Sequence, residues 1–251
     1  MRVFSVSGSS KTGKTTTIEH VIRELRRRNF TVGTIKDIHF EAFAIDGEST
    51  NTARHRQAGA ELVTAWGLSE TDILWPTKLP LSQLLRYYSQ DFVIIEGFAP
   101  GPVPKIITAR DEAEIEARLD ELTIAIAGRV ANGDLNEYAG RPVVNALTDV
   151  ARLCDIIVEQ VFERLPDFPA ECCGACGTDC TGLAAAILRG EASREDCHLI
   201  AGKPLVELTV DGRPIEMVPF VQRILLNAIL GVVKELDGYQ AGAKAEIKLE
   251  L

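Results

Sequence analysis

Gly8-Ser9-Ser10-Lys11-Thr12-Gly13-Lys14-Thr15 is the stretch that decides the fold of this chain. It matches the pattern G-x-x-x-x-G-K-[ST] in full. An apolar strand candidate, Arg2–Ser7, precedes it, and residues 14–28, with apolar side chains at helical spacing, follow it. Strand, loop and helix in this order predict a P-loop, whose backbone N–H groups and helix N-terminus bind the phosphates of a nucleoside triphosphate.

The residue types of the loop assign roles to its members. We expect Lys14 to neutralise charge on the β- and γ-phosphates and the Thr15 hydroxyl to ligate Mg²⁺. The other residues of the predicted phosphate cradle are Gly8, Ser9, Ser10, Lys11, Thr12, Gly13 and Thr16. Dimerising relatives of this fold carry a second lysine directly after the first glycine, and because this chain has Ser9 there, we expect no lysine shared across subunits. Lys11 contacts phosphate or is solvated, and the sequence leaves both open.

Strand-like and helix-like runs alternate through the rest of the N-terminal part. The further strand candidates are residues 30–36, 92–96, 105–109, 123–127 and 142–147, and the further helix candidates are 52–60, 81–88, 112–121 and a stretch after Thr148. Several strand candidates are continuously apolar, which is typical of strands covered on both faces. The predicted fold class is therefore α/β: a P-loop NTPase-like, mostly parallel sheet with helices on both faces.

The 251 residues allow one α/β domain with small appendages. We expect a P-loop domain at 1–165, a cysteine-rich module at 166–200 and an α+β tail at 201–251. In the tail, Asp211-Gly212 predicts a hairpin, residues 219–236 a helix and 245–251 a final strand.

The formal net charge of −9 disfavours nucleic acid and anionic membranes as partners. No apolar run is long enough for a transmembrane helix, and the first residues lack the layout of a signal peptide. We therefore expect a cytoplasmic protein.

Acidic residues follow two strand candidates, at the sheet edge where open α/β folds bind ligands. Glu96 ends Phe92–Glu96, a Walker B-like strand, and we expect it to hold Mg²⁺, directly or through water, or to orient a water. Asp37 is a candidate Mg²⁺-side or switch residue. The guanine-reading motif N-K-x-D has no match, and Asp149, at a comparable place, contacts the base or is the N-cap of the next helix.

Three further motifs carry a family resemblance: Lys36 to His39, the Asp46 region with Arg54-His55-Arg56 and Ala58-Gly59-Ala60, and Glu96-Gly97-Phe98 followed by Pro104-Lys105. With the P-loop, they resemble the molybdopterin-guanine dinucleotide biosynthesis protein B (MobB) family over residues 1–160. The resemblance implies a homodimer that binds GTP with weak hydrolysis. It also implies assistance to the guanylyltransferase that builds the guanine dinucleotide form of the molybdenum or tungsten cofactor.

The resemblance further implies which residues line the site or its mouth: Lys36, His39, Arg54, His55, Arg56, Glu96 and Lys105. A positive rim suits molybdopterin, which bears a phosphate. Family members often carry Gly-Lys-Asp-Ser after the Asp, whereas this chain has Gly47-Glu48-Ser49-Thr50, so any role of that lysine is lost here.

Five of the six cysteines lie between Cys172 and Cys197, and such crowding in a reducing compartment indicates metal. The predicted ligands are Cys173, Cys176, Cys180 and Cys197, with Cys172 as a rival for Cys173. The segment resembles small four-cysteine iron–sulfur domains, so a [4Fe–4S] cluster is expected, with Zn²⁺ as the alternative.

The sequence thus predicts a GTP-binding accessory protein of molybdenum-cofactor maturation. It would be a weak GTPase with Lys14, Thr15, Glu96 and Asp37 as catalytic residues. Its predicted partners are molybdopterin, the guanylyltransferase and a molybdenum or tungsten iron–sulfur enzyme. The alternatives are a nucleotide-gated metallochaperone or adaptor and a small-molecule kinase.

Overall fold

A computed structural model describes residues 1–40, 43–167, 178–201, 206–217 and 219–236. The chain forms two compact units, Met1–Arg164 and Leu165–Leu251. In the described part of the chain, no helix has the length and apolar character that crossing a membrane requires.

The first unit is built on a five-stranded sheet. The strands of the whole unit are β1 (Arg2–Ser7), β2 (Val32–Lys36), β3 (Val63–Trp66), β4 (Thr71–Leu74), β5 (Phe92–Glu96), β6 (Lys105–Thr108), β7 (Thr123–Ala127), β8 (Glu137–Tyr138) and β9 (Arg141–Pro142). Its helices are α1 (Lys14–Arg27), α2 (Asn51–Gln57), α3 (Leu81–Leu84), α4 (Glu112–Glu116) and α5 (Val150–Gln160). The central sheet has the order β2-β5-β1-β6-β7, and all its neighbours are parallel. This confirms the predicted α/β fold class, with the P-loop strand in the middle.

The core explains why these strands are continuously apolar. Ile107 of β6 and Ile126 of β7 pack against Ile115 of α4 in one buried cluster. Val93 of β5 packs with Leu85, just after α3, in another. Since the side chains of a strand alternate between faces, coverage on both faces requires apolar residues throughout.

Two parts of the first unit differ from the prediction. The antiparallel hairpin β3–β4 has no clear signal in the sequence, because its short strands carry exposed apolar residues and so lack a regular alternation. Residues 142–147 do not form one strand: β9 pairs with β8, and Val143 makes a single bridge to Ile126. The backbone N–H of Val143 donates to the Asn136 carbonyl and that of Val144 to the Ile126 carbonyl, so the segment turns from β8 to β7 instead of pairing along one strand.

The second unit contains α6 (Cys180–Leu188), α7 (His198–Ala201), β10 (Leu208–Val210), β11 (Arg213–Ile215) and α8 (Pro219–Val233). The hairpin predicted at Asp211-Gly212 is confirmed, with φ of 50° and 72° at these residues. Positive φ at both central residues is typical of the tight turn that matches strand twist. The strand predicted at 245–251 lies outside the described residues.

Candidate functional site

The predicted phosphate loop joins the carboxyl end of the central strand β1 to the start of α1. A Cβ at Gly8 would lie 2.3 Å from the Thr108 carbonyl oxygen, so only glycine fits there. Gly13 precedes α1 with φ of 106°, in the left-handed region that glycine enters without steric cost. The loop therefore has the backbone that its glycines were expected to provide.

The Lys14 ammonium lies against the loop. Its Nζ donates to the carbonyl oxygens of Gly8, at 2.8 Å, and Ser9, at 2.6 Å. Burial lowers the pKa of Lys14, with nearby Arg118 and Lys36 acting in the same direction. The structure thus places this cation at the loop, where we expected it to meet phosphate charge.

Thr15 and Glu96 lie together at the carboxyl edge of the sheet. The Thr15 hydroxyl donates to Glu96 Oε1 at 2.9 Å, and Lys36 Nζ lies 3.6 Å from the same oxygen. They meet because β5, which ends at Glu96, is the neighbour of β1. A hydroxyl and a carboxylate side by side fit Mg²⁺, which proteins hold with one or two carboxylates together with phosphates and water.

Asp37 forms a second charged group at this edge. Its carboxylate contacts His39 Nε2 at 2.8 Å and Lys78 Nζ at 2.9 Å. The backbone packs tightly here, since a Cβ at Gly97 would lie 3.0 Å from that of Asp37. Sequence reasoning missed Lys78, which belongs to no motif and comes from the segment after β4.

The loop is also held to neighbouring segments by contacts that the sequence did not predict. The buried hydroxyls of Thr12 and Thr108 lie 2.8 Å apart, and Thr108 donates to the Ser7 carbonyl at 3.1 Å. The backbone N–H of Arg129 donates to the Thr12 carbonyl at 3.0 Å. Thr12, a predicted cradle residue, therefore holds the loop to its neighbours.

Ser9 connects the loop to α4. Its hydroxyl donates to Glu114 Oε1 at 2.6 Å, and Arg110 donates to the same carboxylate through its backbone and guanidinium. The hydrogen bonds from Arg110 and Ser9 lower the pKa of Glu114 to about 2. Ser9 thus anchors the loop through an ionised carboxylate, and no motif indicated Glu114.

The predicted basic helix is α2, and its three basic residues differ in their surroundings. Arg56 donates to Asp46 Oδ2 at 3.1 Å. Asp46 also accepts from Thr50 at 2.5 Å and from Thr52 at 3.0 Å, and its pKa is lowered, mainly by the Thr50 hydroxyl. Arg54 and His55 are exposed. Arg56 is therefore a structural clamp, whereas Arg54 and His55 can meet a ligand.

Two predicted site residues, Lys105 and Asp149, have other roles in the structure. Lys105 is the first residue of β6, so it lies at the opposite end of that strand from the sheet edge of the P-loop, and its Nζ donates to Asp120 at 2.6 Å. Asp149 is the N-cap of α5, accepting from the Arg152 backbone at 3.4 Å. We therefore leave Lys105 out of the site, and for Asp149 the helix-cap alternative replaces the base contact.

The predicted metal ligands fall partly outside the described residues. Cys173, Cys176 and their rival Cys172 lie there, whereas Cys180 and Cys197 are described and buried. Cys180 begins α6, and Cys197 directly precedes α7.

Comparison with known proteins gives consistent matches. The family model of molybdopterin guanine dinucleotide synthesis protein B, MobB, matches residues 3–129. The molybdopterin-guanine dinucleotide biosynthesis adapter protein of Haemophilus influenzae is 32% identical over 133 residues, which cover 50% of this chain and 73% of that protein. A protein of Methanocaldococcus jannaschii, provisionally described by the same adapter name, is 26% identical over 260 residues, covering 100% of this chain and 98% of its own. A solved structure of Bacillus subtilis MobB, 25% identical, covers 65% of this chain and 100% of its own with a TM-score of 0.51.

Proposed function

This chain belongs to the MobB family, and from that premise we propose that it is an adapter of molybdopterin guanine dinucleotide biosynthesis that binds and slowly hydrolyses GTP. One observation carries the proposal: the Thr15 hydroxyl lies 2.9 Å from Glu96 Oε1, next to the loop against which the Lys14 ammonium lies. The phosphates, the metal ion and the attacking water would all bind within this small region.

The chemistry is attack of water on the γ-phosphate. A bond forms between the water oxygen and the γ-phosphorus, and the bond from that phosphorus to the oxygen bridging to the β-phosphate breaks. GDP and inorganic phosphate leave, and the protons of the water pass to the phosphate group and to solvent. Lys14 stabilises the charge on the leaving β-phosphate, and Glu96 orients the water. Thr15 and Glu96 would hold Mg²⁺, which when bound neutralises phosphate charge.

The primary test is GTP affinity, measured by calorimetry with Mg²⁺. Lys14→Ala should weaken binding about tenfold or more, because the variant lacks the ammonium that meets the phosphate charge. A tenfold loss corresponds to about 1.4 kcal/mol of binding free energy. Lys234→Ala, which lies in the second unit, is the control and should bind normally. Equal affinity in the Lys14→Ala variant and the unmodified chain would refute a role for the P-loop.

The exposed positive side chains of α2 support a second ligand that bears phosphate. We propose that Arg54 and His55 contact molybdopterin. Arg54→Ala should weaken molybdopterin binding, whereas Arg23→Ala, an exposed arginine on α1 paired with Glu19, should not. Unchanged affinity in Arg54→Ala would refute this part of the proposal.

Exposed apolar residues support the proposed homodimer. Trp66 and Leu68 of the β3–β4 hairpin are almost fully exposed, and large apolar patches on a surface mark interaction sites. Light scattering should give twice the chain mass, and Trp66→Ser should lower it. A monomeric unmodified chain would refute the dimer.

The guanylyltransferase is the proposed protein partner. Adding this chain and GTP to that enzyme with molybdopterin should raise the yield of the guanine dinucleotide, and Lys14→Ala should abolish the effect. An equal yield without the chain would argue against the adapter role.

For the second unit we propose a [4Fe–4S] cluster on Cys173, Cys176, Cys180 and Cys197. Two of these thiols are buried, and thiolates suit iron–sulfur clusters. Anaerobically purified protein should be brown and contain iron and sulfide, and Cys180→Ser should lose both. Cys154→Ser, which removes a buried thiol of the first unit, is the control. Colourless protein that contains zinc would refute the cluster.

A further inference from the structure

A cavity of about 420 Å³ opens beside the P-loop. This volume lies within the range of small-ligand pockets. On one side it is lined by Lys11, Gly13 and Thr16 of the loop and the start of α1. On the other side Asn132, Asn145 and Leu147 line it, after β7 and β9. The cavity is therefore continuous with the predicted phosphate cradle.

The position of the cavity identifies which part of a nucleotide it would meet. Thr15 and Glu96 mark the metal end of the cradle, and neither lines the cavity. Thr16, the next residue of α1, does. A triphosphate whose terminal phosphate lies near Glu96 would thus direct its nucleoside toward the cavity.

Hydrogen bonds fix the orientation of two amide side chains at this cavity. The backbone N–H of Leu147 donates to the side chain of Asn145 at 2.9 Å, and because N–H can only donate, the accepting atom is Oδ1. The Asn145 Nδ2 then donates to Asn132 Oδ1 at 3.0 Å. Each oxygen uses one of its two lone pairs in this arrangement, and Asn132 Nδ2 and the second N–H of Asn145 remain as donors.

Donors of this kind distinguish the two purines. Guanine presents two acceptors, O6 and N7, on one edge, whereas adenine presents the N7 acceptor beside an N6 amino donor. Of the described residues that line the cavity, none is acidic, so no carboxylate there reads the N1–H and 2-amino group of guanine. The planar guanidinium of Arg129, which also lines the cavity, suits stacking on a base.

We propose that this cavity binds the purine base of the nucleotide and that Asn132 and Asn145 select guanine through O6 and N7, a proposal that rests on the nucleotide binding proposed above. Asn145 and Asn132 thus replace the missing N-K-x-D motif, and Asp149 takes no part because it caps α5.

A series of nucleotides tests this on the unmodified full chain. GTP and inosine triphosphate share O6 and N7 and should bind with closely similar affinity, although inosine lacks the 2-amino group. ATP and 2-aminopurine riboside triphosphate, which lack O6, should bind about tenfold more weakly. Binding of GTP far tighter than inosine triphosphate would overturn the proposal, because an acceptor would then read the 2-amino group. Equal binding of all four would overturn it as well.

Three variants assign the selectivity to residues. Asn132→Ala and Asn145→Ala should each lose most of the GTP preference. Asn136→Ala, an exposed asparagine whose amide bonds the Asp134 carbonyl, should keep it. Asn132→Ala spares the turn at Leu147 and so decides the question if Asn145→Ala fails to fold. Retained preference in a folded Asn132→Ala variant would overturn the assignment.

Inorganic tripolyphosphate separates this proposal from the one on which it rests. It should compete with GTP in the unmodified chain, and Asn132→Ala should not change its affinity. Competition without base preference would overturn base selection and leave the P-loop function standing. Binding of neither tripolyphosphate nor any nucleotide would overturn both.

Discussion

At the scale of single residues, the phosphate loop depends on a backbone contact that leaves no room for a side chain. A Cβ at Gly128 would lie 2.4 Å from the Thr12 carbonyl oxygen, and Gly128 has φ of 85°. This residue lies between β7 and Arg129, whose N–H bonds the same carbonyl. The shape of the loop therefore depends partly on Gly128, which follows the carboxyl end of β7.

Gly128→Ala should lower both stability and GTP affinity, because the new methyl group displaces Thr12. Gly140→Ala is a matched control: its φ is also positive, at 74°, but nothing lies within 4 Å of its Cβ. The control should show only the backbone strain, about 1 kcal/mol, with normal GTP binding. Thermal unfolding and calorimetry measure both effects, and equal GTP affinity in the two variants would contradict the steric argument.

Thr108 makes a second prediction at this scale. Thr108→Val keeps the shape of this buried residue but removes its hydroxyl contacts with Thr12 and Ser7. Stability should fall by about 1–3 kcal/mol, and GTP affinity should fall too because the loop loses its anchor.

Thr123→Val provides the comparison. Thr123, the first residue of β7, is also buried, and its hydroxyl donates a hydrogen bond to the Asp120 carboxylate. It should lose stability in urea titrations but bind GTP normally. Weaker GTP binding in both variants would show a general loss of stability rather than a local effect.

At the scale of elements, a carboxylate on α1 organises the contact with α5. Glu24 is only 8% exposed and accepts from Arg27 and from Arg28, each at 2.7 Å. Arg28 extends to Asp155 of α5 at 2.6 Å. The hydrogen bonds from Arg27 and Arg28 lower the pKa of Glu24 to about 2, from an ordinary value of 4.5.

This lowered pKa predicts a pH dependence of stability with a definite sign. The folded state favours ionised Glu24, so its contribution is complete above pH 4.5 and is lost as pH falls toward about 2. Glu24→Gln should therefore lower the Tm at neutral pH, and the gap from the unmodified chain should narrow between these two values. Glu19→Gln, on the same helix but exposed, should show a much smaller gap. A gap for Glu24→Gln that widens at low pH would contradict the ion pairing.

At the scale of the whole molecule, every described residue of the proposed nucleotide site belongs to the unit Met1–Arg164. A ligand stabilises the folded state that binds it, by about 2.7 kcal/mol at a hundredfold excess over Kd. GTP with Mg²⁺ should therefore raise the Tm of the full chain. Lys14→Ala should abolish this increase, whereas Cys197→Ser, in the second unit, should retain it. Loss of the increase in both variants would mean that the site depends on the second unit.

The fold could be predicted largely from the sequence because its signals are local. The P-loop pattern lies between strand and helix patterns, and β1, β5 and β7 have the bounds that apolar runs indicate. In the same way, Asp211-Gly212 predicted its hairpin from the backbone preference of two residues. Such features depend on neighbours along the chain, so periodicity and residue type suffice.

The partners of the site residues were decided only by the tertiary structure. Ser9 meets Glu114 across 105 positions and Asp37 meets Lys78 across 41, and neither pair has a sequence pattern. Strand direction places Lys105 away from the loop edge, and the turn after β9 brings Asn145 to Asn132. The sequence by itself determined that a loop of the P-loop pattern follows a strand at the carboxyl edge of a parallel sheet. Strand order and packing decided which side chains surround it, because contacts between distant segments form only when the whole sheet is assembled.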